Sequence, residues 1–272
     1  MTLTPGAGPR QPPSWLIRPP APADYDGCPV TVDEAKARGR VLRAPGWGIP
    51  DALLAIFGTI TLAVVVASVL ISLRDNGQPL PVGVHLLLGL VVPWLALAGV
   101  PLLFTRWRGN GPRIDLGLRL RGSDVGWGLL GGVAAIALGL LAGLLTQWLF
   151  GDFTSAAGDA AQEVADSGQR AALTVFAVLV VVGAPAVEEL AFRGLFFAAL
   201  RKRGLGAAWT VATTAVAFAL FHFEPRRLLV LLVIGAVLGV VRWRTRALSA
   251  SIIAHGVNNL PGAIALLALQ PG

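Results

Sequence analysis

Glu188 and Glu189 stand side by side in the stretch GAPAVEELAFRGLFF (residues 183–197), and Arg193 follows four residues after the second of them. The rest of the run is Val, Leu, Ala, Phe, Gly and Pro, a setting from which charge is normally excluded. On a helix, Glu189 and Arg193 are i and i+4 with the acid first, the favourable register for an ion pair. Glu188 is turned about 100° away from Glu189, so it is the less neutralised carboxylate and the one available to take a proton from water. Two further pairs repeat the i, i+4 spacing: Phe218 with His222, and His255 with Asn259. The first lets a phenyl ring brace an imidazole, and the second puts two hydrogen-bonding groups on one helix face. A carboxylate, two imidazoles and an amide together are the parts of a water-activating site with donors for an oxyanion.

The elements that must position these residues follow from composition. The chain has 272 residues, 55% hydrophobic and 14% charged, with a mean hydropathy of +0.70. That is too apolar for a soluble globule and too long for one simple anchor. Stretches near the roughly 20 apolar residues needed to cross a bilayer occur at 50–73, 83–104, 125–150, 172–200, 207–223, 227–242 and 247–269. The expected fold is therefore an all-α polytopic bundle of about seven transmembrane helices with a polar cavity inside the membrane. Followed at about 1.5 Å per residue from one membrane face, Glu188, His222, His255 and Asn259 lie at depths of roughly 18, 24, 12 and 18 Å. Three separate helices thus bring their costly polar groups towards the middle of the membrane.

Basic residues cluster at alternate ends of the spans. Six Lys or Arg lie in residues 1–48, five in the 105–124 loop, three at 201–203 and three at 242–246, against Arg74, Arg170, Arg226 and Arg227 on the other side. The positive-inside rule then puts the N-terminus in the cytoplasm and the C-terminus outside. The formal net charge of +7 is accounted for by these flanking clusters, which suit anionic lipid headgroups and give no soluble basic face for nucleic acid. Residues 1–48, rich in Pro and polar residues and lacking an apolar signal core, are expected to be a disordered cytoplasmic tail. Residues 49–124 form N-terminal spans and a loop, and residues 125–270 hold the chemistry-bearing helices. The stretch RIDLGLRLRG (113–122) is expected to rest at the cytoplasmic membrane interface. Gly139/Gly143 and Gly235/Gly239 are read as close helix contacts within the monomer, and His85 as structural. The single Cys28 excludes an intramolecular disulfide.

The motifs EELAFR (188–193), FALFH (218–222) and HGVNN (255–259) resemble EExxxR, FxxxH and HxxxN, three ordered motifs of the CPBP family, the Abi-type, CaaX-protease-like intramembrane proteases. The resemblance spans about residues 125–269 and leaves no motif residue unmatched. It implies peptide-bond hydrolysis in a water-accessible membrane cavity, on a membrane-associated or lipidated peptide, with no cofactor. In that reading Glu188 with His222 activates water, His255 with Asn259 stabilises the oxyanion, and Glu189, Arg193 and Phe218 support them. Zinc held by Glu188, His222 and His255 stays open as an alternative, and so do a non-proteolytic scaffold or immunity regulator and a proton-coupled transporter. Ser251, four residues before His255, is a weak candidate nucleophile, because a Ser–His dyad would leave Asn259 and both glutamates unexplained. HExxH, GxGD and GxSG patterns are lacking.

Overall fold

The computed structural model describes residues 29–268. It is all-helical: α1 (Pro29–Ala37), α2 (Ile49–Asp75), α3 (Val82–Arg108), the single turn α4 (Pro112–Asp115), α5 (Gly122–Phe150) and α6 (Ala156–Asp166) lead into α7 (Arg170–Lys202), followed by α8 (Ala207–Phe221), α9 (Leu228–Thr245) and α10 (Leu248–Ala268). Six of these are long and apolar enough to cross a membrane, and α8 is a shorter apolar helix. About seven crossings, as expected, is consistent with this. Exposed leucines on α5, among them Leu130, Leu140, Leu141 and Leu144, mark its lipid-facing side.

Helices α2 and α3 form one pair, while α5, α9 and α10 pack together with α8 laid on α9. Helix α7 runs between the two groups and touches both. Small residues set the distances: a Cβ on Gly132 of α5 would lie 2.4 Å from Val257 Cβ on α10, and Gly235 and Gly239 of α9 meet Ala215 and Val211 of α8. Gly235 and Gly239 serve close packing inside the monomer, as expected, and Gly132 does the same, because dispersion contacts between backbones are what holds apolar helices together in lipid.

Two expectations are corrected at the basic face, where α3, α7 and α9 end. Residues 29–48 are not a disordered tail. Helix α1 and the strap after it dock through Val32, Ala35 and Leu42 onto Ile114, and Trp47 is 2% exposed. The Trp47 indole donates to Asp115 Oδ2 at 2.7 Å, Glu34 pairs with Arg113 and Arg121, and Lys202 at the end of α7 donates to the carbonyls of Pro45 and Trp47. Few apolar residues carry this docking, so composition hid it. Residues 1–28, including the Pro-rich stretch and Cys28, lie outside the described residues. The 113–122 stretch does not simply lie on the membrane either: Ile114, Asp115 and Leu116 are buried, Arg119 turns inward to Asp124, and Arg113 and Arg121 reach outward to Glu34, while Leu120 stays exposed.

Candidate active site

Helix α7 is irregular where its charges lie. Leu179–Gly183 and Leu190–Phe196 are π-helical, one on each side of the short α-turn Ala184–Glu189 that carries both glutamates. In the first, the Ala184 N–H donates five residues back, to Leu179 O. The next donor in that register would be residue 185, but Pro185 has no N–H. The Val180 carbonyl is taken up instead by Asn259 Nδ2 of α10, at 2.9 Å. The neighbouring Val181 carbonyl faces Gly256, where an added Cβ would come within 2.7 Å of it. One proline thus explains why α10 carries both a glycine and an asparagine here.

Glu189 and Arg193 are both 0% exposed. Arg193 Nη1 donates to Glu189 Oε1 at 2.9 Å and Nη2 to the Gly235 carbonyl at 2.8 Å, and the guanidinium lies 4.4 Å from the Phe218 ring centre. A buried pair of this kind holds only when its remaining hydrogen-bonding groups find partners, as these do in part. His255 Nδ1 lies 3.1 Å from the same Glu189 oxygen. That oxygen also receives Arg193, so it accepts, and His255 Nδ1 carries the proton.

Helix α8 ends at Phe221 after 15 residues, about 22 Å of rise, which leaves His222 at its end within the membrane's depth. His222 Nδ1 lies 2.7 Å from the Phe218 carbonyl, an acceptor only, so this nitrogen also carries a proton. Phe223, the next residue, has a left-handed φ of 54°, an uncommon conformation for a bulky side chain that turns the chain away from the helix axis. The Phe218 ring lies under both imidazoles, with centroid distances of 4.6 Å to His222 and 5.7 Å to His255.

Glu188 lies between the two histidines. Its Oε2 is 3.9 Å from His222 Nε2 and 3.9 Å from His255 Nε2, and its side chain keeps 13% exposure while Glu189 has none. The structure thus brings Glu188, His222 and His255 together, with Phe218, Glu189 and Arg193 packed behind them. It directs the Asn259 amide to Val180 O. Ser251 Oγ donates to the Leu238 carbonyl, a bond that pairs it away from His255. Among the described residues, no group of three or more His, Cys, Asp or Glu is arranged to hold a metal ion. Asn258 lines an open cleft of about 430 Å³ between α5, α9 and α10, rimmed by Gln147, Asp152 and Arg227.

Sequence reasoning missed Arg242, counted only as one of a flanking basic cluster. It is 5% exposed, donates from Nε to the Arg193 carbonyl at 3.0 Å and from Nη2 to the Leu116 carbonyl at 3.2 Å. The signal was its spacing: Gly235, Gly239 and Arg242 share one helical face, and the glycines mark that face as inward.

Residues 170–261 match the family described as type II CAAX prenyl endopeptidase Rce1-like. The matched residues, about a third of the chain, are similar to that family. All three motifs of the CPBP resemblance fall inside the matched span. No curated protein and no solved structure matches the chain.

Proposed function

We propose that this protein is an intramembrane endopeptidase that hydrolyses a peptide bond of a membrane-associated or lipidated substrate, with the helices of residues 125–270 as its catalytic core. The observation that supports this reading best is the Glu188 carboxylate, 3.9 Å from an imidazole Nε2 on either side. That spacing is too long for a direct hydrogen bond and leaves room for a water that bonds to all three groups.

The roles divide by what backs each imidazole. His222 has a neutral carbonyl at Nδ1, so its Nε2 lone pair accepts from the water that Glu188 deprotonates. The water oxygen attacks the substrate carbonyl carbon, and the carbonyl electrons move onto its oxygen. His255 can donate from Nε2 to that oxyanion while Nδ1–H stays on Glu189 only as an imidazolium, and Glu189 supplies the counter-charge. The Asn259 amide, with one N–H on Val180, has a second N–H for the same oxyanion. Collapse of the tetrahedral intermediate breaks the C–N bond, and Glu188 returns its proton to the leaving amine. No step requires a metal, so cleavage should survive strong chelation of protein purified metal-free; loss under chelator with recovery on adding zinc would favour the zinc-dependent form.

The basic face, which carries α1 and the 105–124 loop, is the cytoplasmic face in this reading because Lys and Arg concentrate there. Labelling of a cysteine at Arg108 only from outside would reverse it. The functional test is comparative proteomics of membranes holding the wild type or Glu188→Gln. New protein termini present with the wild type and absent with the variant support the protease and identify its substrates. Identical termini in both would favour a scaffold that keeps the fold without the reaction.

A further inference from the structure

Where a π-turn returns to ordinary α-helix, the hydrogen-bond register skips one backbone carbonyl, and a skipped carbonyl in lipid must find another donor. In α7 this happens on both sides of the glutamates. Before them, Val180 O is bonded by Asn259 from α10. In the second π-turn the Phe197 N–H reaches back to Phe192 O, and the next carbonyl, that of Arg193, is bonded by Nε of Arg242 from α9. Arg242 also donates to Leu116 O, one residue before Gly117, whose own carbonyl accepts from Leu248 N at the start of the helix bearing His255. The guanidinium lies 5.5 Å from the Phe197 ring centre, which fixes it from a third side.

We infer that Arg242 is a positioning residue for the site: it holds the second π-turn of α7 in register, and through Arg193, Glu189 and His255 it sets where Glu188 lies between the imidazoles. The chain of contacts is continuous. Arg242 bonds the Arg193 backbone, the Arg193 side chain bonds Glu189, Glu189 bonds His255, and His255 Nε2 faces Glu188. The planar guanidinium serves Arg193 O from Nε and Leu116 O from Nη2 in one fixed geometry, whereas a lysine ammonium is a single point on a flexible stem and does not hold the two carbonyls at that spacing. The catalytic part of this inference rests on the protease reading above; the clamp itself does not.

The test uses the full chain in detergent, with Arg242→Met and Arg242→Lys, and Arg244→Met as a control for charge on the exposed side of the same helix end. For each, kcat and KM for a reporter peptide are measured together with the 15N spectrum of the histidine rings, which reports the proton on His255 Nδ1 whether or not the protein cleaves anything. Arg242→Met is expected to lower kcat per folded molecule about 10²-fold, as a misplacement of about 1 Å does, with KM unchanged and the His255 Nδ1 signal displaced. Arg242→Lys, which keeps the charge and covers the case in which the Met variant does not fold, should lose about tenfold in kcat with the same spectral displacement in smaller measure. Arg244→Met should match the wild type. Wild-type kcat per folded molecule and an unmoved His255 signal in Arg242→Lys would overturn the inference. If the wild type cleaves nothing, the protease reading fails and the spectra alone decide the clamp: displacement supports it, and identity with the wild type refutes it.

Discussion

Helices α2 and α7 are both long and both apolar, yet α2 turns exposed aliphatic side chains outward along most of its length, whereas α7 is buried from Glu189 to Leu200 and carries the candidate site. Ile49–Asp75 is α-helical throughout, and its interior hydroxyls, Thr59, Thr61 and Ser68, bond back to carbonyls of their own helix. Arg170–Lys202 changes register twice, and its skipped carbonyls are met by side chains from α9 and α10. Proline alone does not make the difference, since Pro93 and Pro101 sit inside α3, which remains α-helical from Val82 to Arg108. The lesson is that a break in a membrane helix becomes a site when neighbouring helices supply its missing hydrogen bonds, so that the break is fixed and its side chains are aimed. The α2–α3 pair then serves as a smooth wall against which α7 is held.

That comparison predicts where the fold is most sensitive. Glu189→Gln leaves the buried Arg193 without its charge partner and should destabilise by about 3–5 kcal/mol, read as a fall in melting temperature in detergent; a near-neutral result would mean that water reaches the pair. Gly256→Ala pushes a methyl group into the Val181 carbonyl on α7, a backbone atom that cannot swing aside, and should cost about 1–3 kcal/mol. An alanine tolerated there at no cost would show that the α7–α10 contact is looser than the 2.7 Å approach implies. At the docked strap, Trp47→Phe loses the bond to Asp115 and leaves part of the buried indole volume empty, which together should cost about 2 kcal/mol. A loss as large as that of Glu189→Gln would erase the distinction between the α7 site and the rest of the bundle.

The smallest effect is expected at Glu34, on the periphery. Desolvation raises its pKa, but the hydrogen bonds and charges of Arg121 and Arg113 outweigh this and hold it below the usual carboxylate value. A lowered pKa in the folded state means a contribution fully present above the ordinary carboxylate pKa and lost as pH falls through the lowered one. The difference in melting temperature between wild type and Glu34→Gln should therefore shrink in acid and stay constant from neutral to alkaline pH. A difference that grows as pH falls would contradict the pairing.

Much of this was legible in the sequence, for identifiable reasons. Apolar length alone marked the spans, and polar residues inside them marked Glu188, His222 and His255, because a bilayer makes each such residue conspicuous. The convergence of the three helices also followed, since α8 is short enough to leave His222 at depth. What could not be read was the backbone. Nothing in the residue types distinguishes Pro185, which goes with a π-turn, from Pro93, which does not; the difference lies in Asn259 and Gly256, some seventy residues away. Arg242 was hidden by its neighbours Arg244 and Arg246, which made it look like one more flanking cation. The strap at 29–48 was hidden by composition, because Val32, Ala35, Leu42 and Trp47 are too few to outweigh the prolines and polar residues around them.

The central claim is that Glu188, and not its neighbour, carries the reaction, and it is tested most directly by purified Glu188→Gln and wild type acting on the same reporter peptide, with the cleaved termini identified by mass spectrometry and the melting temperature measured alongside. The exchange preserves size and hydrogen-bonding capacity and removes only the carboxylate, so turnover should fall by about 10²–10⁴ with melting unchanged. Cleavage near the wild-type rate at the same bond would contradict the account and move the base to another residue, with Glu189 the first to examine.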